Sequence, residues 1–172
     1  RLIVSKGHAS AATYAVLARF GFISLELLNT FCQDGSILLG HVSHEVPGVE
    51  LSTGSLGHGL SVGAGMALVA HRNALDWRTF VILGDGELNE GSVWEAALFA
   101  SHHKLTNLIA IIDYNKIQSF GKIDEVIRLE PLAEKWSSFG WSVCEVDGHD
   151  LGELITILSQ IPNADTKPTA VI

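Results

Sequence analysis

Two apolar runs, Thr79-Phe80-Val81-Ile82-Leu83 and Leu108-Ile109-Ala110-Ile111-Ile112, enclose a segment of helical periodicity, and this constrains the fold more than anything else in the chain. Five-residue runs rich in β-branched and aromatic side chains read as buried strands. Between them Val93, Trp94, Ala97, Leu98 and Ser101 recur at spacings of three and four, describing one face of a helix over Ser92 to Lys104. Strand, glycine turn, helix and strand make a βαβ unit. Its strands are parallel, so their carboxyl ends lie on one edge of the sheet.

The first strand closes on Gly84-Asp85-Gly86 and the second runs into Asp113-Tyr114-Asn115. Asp85 and Asn115 are thus expected at the edge where open α/β sheets bind ligands. One carboxylate and one neutral oxygen suit magnesium, whose remaining positions are filled by water or by phosphate oxygens. The flanking glycines let a diphosphate approach the backbone near a helix start. Aspartate with glycine also makes ordinary turns, and the local pattern leaves a metal site and an empty turn both open. A hairpin is disfavoured, because the residues after the turn have helical rather than alternating periodicity.

The other elements follow the same alternation. Helices are expected after Gly7 to about Arg19, from Ser24 as the cap of Glu26-Leu27-Leu28, over Leu56 to Leu75, near Pro131 to Phe139 and over Leu151 to Gln160. In the third of these, Leu60, Gly63, Ala64, Ala67, Leu68 and His71 form the expected packing face. Gly35 to Val49 reads as a flexible loop. Further strands are expected at Ser142 to Val146 and Thr169 to Ile172. The class is therefore α/β, an open mostly parallel sheet with helices on both faces. The 172 residues suit one domain, with no repeat or compositional break. The chain stops inside an apolar run, which suggests truncation.

Several function classes are disfavoured. A formal charge of −8, with eleven basic residues not collected into a run, gives no footprint for nucleic acid. No stretch has the length of a membrane span and no signal-peptide pattern opens the chain, so a cytoplasmic protein is expected. Cys32 and Cys144 suggest no disulfide framework, and Cys32 with His41 and His44 lacks the second cysteine pair of a zinc site. No Gly-x-Gly-x-x-Gly follows a strand, which ranks a nicotinamide-dependent dehydrogenase last.

The run from Gly84-Asp85-Gly86 to Asn115 resembles the thiamine diphosphate motif, and the sequence around it is similar to transketolase. The likeness spans nearly the whole chain and keeps the family's order. It is carried by Ser5-Lys6-Gly7-His8, Gly40-His41, Pro47-Gly48-Val49-Glu50, Thr53-Gly54-Ser55-Leu56-Gly57, Gly84 through Gly91, Phe139-Gly140-Trp141 and Val146-Asp147-Gly148-His149-Asp150. Several separated motifs in order are far more specific than one glycine turn.

The resemblance implies residues 1–172 as a single diphosphate-binding domain that uses thiamine diphosphate with magnesium, or calcium in its place. Asp85 and Asn115 would hold the metal through side chains and Ile117 through its carbonyl. His8, Gly54, Ser55, Leu56, Gly84, Asp85, Gly86 and Asn115 would face the cofactor. His8 and His41 would lie near the diphosphate and the reacting sugar, where histidine donates hydrogen bonds or moves protons near neutral pH. Glu90 would sit at the subunit interface and couple two cofactor sites. Without the resemblance, Glu87 and Glu90 read as acids in a helix's first turn, and His8 and His41 as loop caps. The family commonly has proline where this chain has Ser55 and glutamine where it has His58.

In that family the cofactor lies between this domain and a pyrimidine domain, which supplies the glutamate that activates the aminopyrimidine. Nothing in this chain resembles the second domain. Either a longer transketolase is missing its other half, or the chain is the amino-terminal subunit of a split transketolase. The His41-to-Pro47 loop and the Asp113-to-Ser119 run are more similar to split forms. The implied assembly is a heterotetramer, two of each subunit, moving a two-carbon ketol unit between sugar phosphates. The alternative is a noncatalytic module that binds cofactor or completes a partner's interface.

Overall fold

The structure, a computed structural model, describes residues 1–162 and 166–172. Its main sheet has five strands, β1 (Leu2–Val4), β2 (Thr79–Gly84), β3 (Leu108–Asp113), β6 (Ser142–Cys144) and β7 (Thr169–Val171), in the order β1-β2-β3-β7-β6. Every pairing is parallel. A small antiparallel hairpin, β4 (Ile117–Gln118) with β5 (Gly121–Lys122), stands apart from it. The helices are α1 (Ser10–Arg19), α2 (Leu25–Leu28), α3 (Gly59–Arg72), α4 (Gly91–His102), α5 (Ile123–Val126), α6 (Leu132–Ser138) and α7 (Leu151–Gln160).

The strands obey the two-residue period of a sheet buried on both faces. Val81 and Leu83 with Leu108, Ala110 and Ile112 point to the main core, which also holds Leu60, Ala64 and Ala67 of α3 and Val93, Ala96, Ala97 and Ala100 of α4. Phe80, Ile109, Ile111 and Val171 point the other way, against Ile157 and Leu158 of α7. Helices thus cover both faces, as expected. Small side chains bring α3 close to the sheet: a Cβ on Gly63 would fall 2.5 Å from Val81 Cγ2. Among the described residues, no helix is long and apolar enough to cross a membrane.

Several expectations are corrected in detail. Leu98 does not lie on the packed face of α4 but is 58% exposed, because the alanine row of that helix faces the core instead. His71 is likewise exposed, and Ala70 takes its place on the buried face of α3. The segment from Gly35 to Val49 is not loose. Leu38, Val42, Ser43 and Val46 are buried, and Leu38 and Val46 join Tyr14, Ala18 and Ile23 in a second core. Ser24 does cap α2, accepting from the Leu27 N–H at 3.2 Å. Strand β1 and the hairpin were not anticipated.

Candidate functional site

Full-length pairing of β2 with β3 aligns Gly84 with Asp113, which brings Asp85 and Asn115 to the same carboxyl edge. Asp85 is 4% exposed and opens a short 3-10 turn, Gly86–Asn89. One carboxylate oxygen accepts from the Gly86 N–H at 2.7 Å and the other from the Lys116 N–H at 2.9 Å. Asn115 Oδ1 accepts from the Ile117 N–H at 2.9 Å, the local turn that asparagine favours after a strand. Both oxygen-bearing side chains therefore hold the single loop 115–117, whose last residue, Ile117, is exposed and opens β4. A carboxylate with two backbone donors keeps lone pairs for a cation.

Over this turn lies Gln118. A Cβ on Gly86 would meet its side chain at 3.5 Å. Gln118 Oε1 accepts from Asn89 Nδ2 at 3.1 Å, while its Nε2 is buried with no partner among the described residues. Lys6 crosses the end of β2 beside Gly84 and reaches Asp113 Oδ2 at 2.5 Å.

The histidine end is built by close backbone approach. Thr53 Oγ1 donates to the Val4 carbonyl at 2.7 Å and the Thr53 N–H to the Val42 carbonyl at 3.0 Å, strapping one loop to β1 and to the His41 segment. Gly7 and Gly54 then meet so closely that a Cβ on Gly7 would lie 2.8 Å from the Gly54 Cα. At φ +133°, with a Cβ position 2.9 Å from the His41 ring, Gly54 has neither the conformation nor the room for a side chain. The His8 and His41 rings lie 5.0 Å apart, both exposed, with Ser55 and Leu56 exposed beyond them.

Glu87 joins the two ends. It is 1% exposed and accepts from Ser5 Oγ, from the Gly57 N–H at 3.0 Å and from the Gly84 N–H at 3.4 Å. Glu90, by contrast, is exposed at the start of α4 and makes no capping bond with its side chain. Its Cβ lies 2.7 Å from where one on Gly57 would be. Trp94 is structural: its Nε1 donates to the Leu88 carbonyl at 2.8 Å and its ring packs on Trp136 and Phe139.

Sequence reasoning thus named residues that the fold collects at two ends of one edge, and passed over Lys6, Glu87 and Gln118. Lys6 lies within the Ser5-to-His8 motif, Glu87 has the local signature of an ordinary helix start, and nothing local marks Gln118. A cleft of about 530 Å³ opens further along the edge, beside Asp113, Tyr114, Asn115, Asp147 and His149. Tyr114 donates to Glu130 Oε1 at 2.9 Å. Burial first, and then that bond, push the Tyr114 phenol up to about 12, while the Leu132 N–H and Tyr114 hold the Glu130 carboxyl below the usual carboxylate range. Among the described residues, no three His, Cys, Asp or Glu side chains form a metal cluster. A cation at Asp85 and Asn115 would draw on carbonyl, water or phosphate oxygens as well.

Fold and geometry together define a parallel α/β domain whose candidate site lies at the carboxyl edge, between two strand ends and a glycine-lined loop. The chain belongs to the transketolase family: residues 1–172 match the family model described as transketolase, thiamine diphosphate binding domain. It is 46% identical over 172 residues to an apulose-4-phosphate transketolase subunit of Phocaeicola vulgatus, covering 100% of this chain and 61% of that protein. To the 6-deoxy-6-sulfo-D-fructose transketolase subunit SqwG of a Clostridium species it is 43% identical over 173 residues, covering 100% and 63%. Transketolase from Campylobacter jejuni superimposes with a TM-score of 0.94 at 36% identity, over 100% of this chain and 28% of that one. The chain spans about three fifths of the length of the curated subunits it matches.

Proposed function

We propose that residues 1–172 are the diphosphate-binding domain of a split transketolase's amino-terminal subunit, working with a partner polypeptide that carries the pyrimidine domain. The observation that carries this is the junction of Asp85 with the 115–117 loop, which sets a carboxylate and an amide oxygen at adjoining strand ends. The donor chemistry fits magnesium, with calcium able to replace it, and the Gln118 Nε2 beside Gly86, without a partner among the described residues, fits an anion there. The names of the curated relatives, both subunits of transketolases acting on ketose derivatives, support the partner and the substrate class.

Thiamine diphosphate, when bound, would supply a thiazolium ring able to act as nucleophile and electron sink for cleavage of a ketose carbon–carbon bond. The chain's own residues supply placement. Asp85 and Asn115 hold the metal, joined by the Ile117 carbonyl, and Gly84 and Gly86 leave room for the diphosphate. Gly54, Ser55 and Leu56 line the ring side. His8 and His41, paired and open to solvent, donate hydrogen bonds to the diphosphate and sugar oxygens or move a proton there. Glu90, exposed beside Gly57, faces a second copy in a heterotetramer with two of each subunit.

The test is to mix the full-length chain with its pyrimidine-domain partner, thiamine diphosphate, magnesium, a ketose phosphate donor and an aldose phosphate acceptor. Transfer of a two-carbon unit is the expected result. An assembled pair that binds cofactor and transfers nothing leaves the noncatalytic module instead. Melting curves separate the dehydrogenase reading, since thiamine diphosphate and not NAD should raise the midpoint.

A further inference from the structure

Glu87 carries more of the site than a place at a helix start explains. Its carboxylate is almost wholly enclosed, and among the described residues no lysine, arginine or histidine forms an ion pair with it. Its three donors come from three separate stretches of chain. Ser5 stands directly before Lys6-Gly7-His8, Gly57 closes the loop of Gly54, Ser55 and Leu56, and Gly84 is the residue before Asp85. An apolar side chain of this size would fill the space. Only a group with acceptors at both tips and no donor satisfies all three at once.

We propose that Glu87 is a positioning residue that keeps the metal end and the histidine end of the cofactor site in register. The inference rests on reading Asp85 and Asn115 as the metal end. Through the Gly84 N–H, Glu87 holds the Leu83–Gly84 peptide, one residue ahead of Asp85. Through Gly57 it fixes the exit of the ring-side loop, and through Ser5 the strand end that leads into His8. Glu87→Gln keeps the size but must turn an amide nitrogen toward one donor. The Gly84 N–H, at 3.4 Å the longest of the contacts, is the one displaced, so the metal end loosens while Gly57 stays held. Glu87→Ala releases both ends.

Calorimetry on the full-length chain with its pyrimidine-domain partner, well below each variant's melting midpoint, tests this. Magnesium pyrophosphate probes the metal end alone, and thiamine diphosphate with magnesium probes both ends. Glu87→Gln should weaken both ligands by about tenfold, the usual scale for a lost bond to a charged group. Glu87→Ala should weaken thiamine diphosphate further than pyrophosphate. Should Glu87→Ala not fold, Ser5→Ala loosens the histidine end alone and should weaken thiamine diphosphate more than pyrophosphate.

If the variants bind both ligands within about twofold of the unaltered chain, whatever their melting temperatures, Glu87 only supports the fold and the proposal is overturned. If the unaltered chain binds neither ligand, the reading of Asp85 and Asn115 fails, and this one with it.

Discussion

The backbone N–H of Lys116 donates to Asp85 Oδ2 at 2.9 Å, tying the loop beyond β3 to the carboxylate that closes β2. Asp85→Asn must turn an amide nitrogen toward either that N–H or the one of Gly86. It should lose about 1.5–3 kcal/mol of stability in urea unfolding, the scale of a bond to a charged acceptor. Asp85→Ala should abolish magnesium-dependent binding of thiamine diphosphate, and calorimetric affinity equal to that of the unaltered chain would refute its assignment to the metal.

Gln118 Nε2 is a donor that nothing among the described residues uses. Gln118→Ala should weaken thiamine diphosphate by about tenfold. Gln118→Glu should do worse, because it sets an anion against a phosphate. Equal binding by the glutamate variant would mean that the amide presents its oxygen to the site.

The phenol of Tyr114 gives a pH signature. Its pKa rises from 10.0 in the free side chain to about 12 in the fold, through burial and then through the proton it donates to Glu130. The folded state thus holds this proton where the unfolded chain has lost it. The stability it contributes is complete below pH 10 and falls as pH rises toward 12. The only other tyrosine is Tyr14. In a Tyr14→Phe background, tyrosinate absorbance should therefore reach half its amplitude near pH 12, and a midpoint at the ordinary value would contradict the Glu130 bond.

Packing of α3 on the sheet is testable away from the site. A methyl group at Gly63 would fall 2.5 Å from Val81 Cγ2, inside any tolerable contact. Gly63→Ala should cost about 1–3 kcal/mol by overpacking, although alanine is the better helix former. Denaturant midpoints at or above that of the unaltered chain would show that α3 rides further from β2.

What the sequence made legible depended on how local the cause was. The unit β2-α4-β3 was readable because its apolar periods lie within one window, and the Ser24 cap because its bond spans three residues. Asp85 and Asn115 could be paired because the parallel rule fixes which strand ends meet. β1 escaped notice because it is three residues long at the start of the chain, and the hairpin because Ile117-Gln118-Ser119-Phe120 has no clear alternation. Leu98 was misplaced because helical spacing gives two adjoining faces, and only the contact with α3 chooses the alanine one. Glu87 was the largest omission, since its partners Ser5 and Gly57 lie 82 and 30 residues away.

That separation also orders events in time. β1 ends at Val4, yet its partner β2 begins only at Thr79, so it must wait through the synthesis of α1 to α3 before it can pair. Closing so wide a loop is slow and entropically opposed, and the contacts it rewards come last. Ser5, His8 and the 53–57 strap all depend on that closure. Thiamine diphosphate capture by a refolding chain is thus expected to lag behind helix formation, and to report when Ser5 and His8 have reached their place.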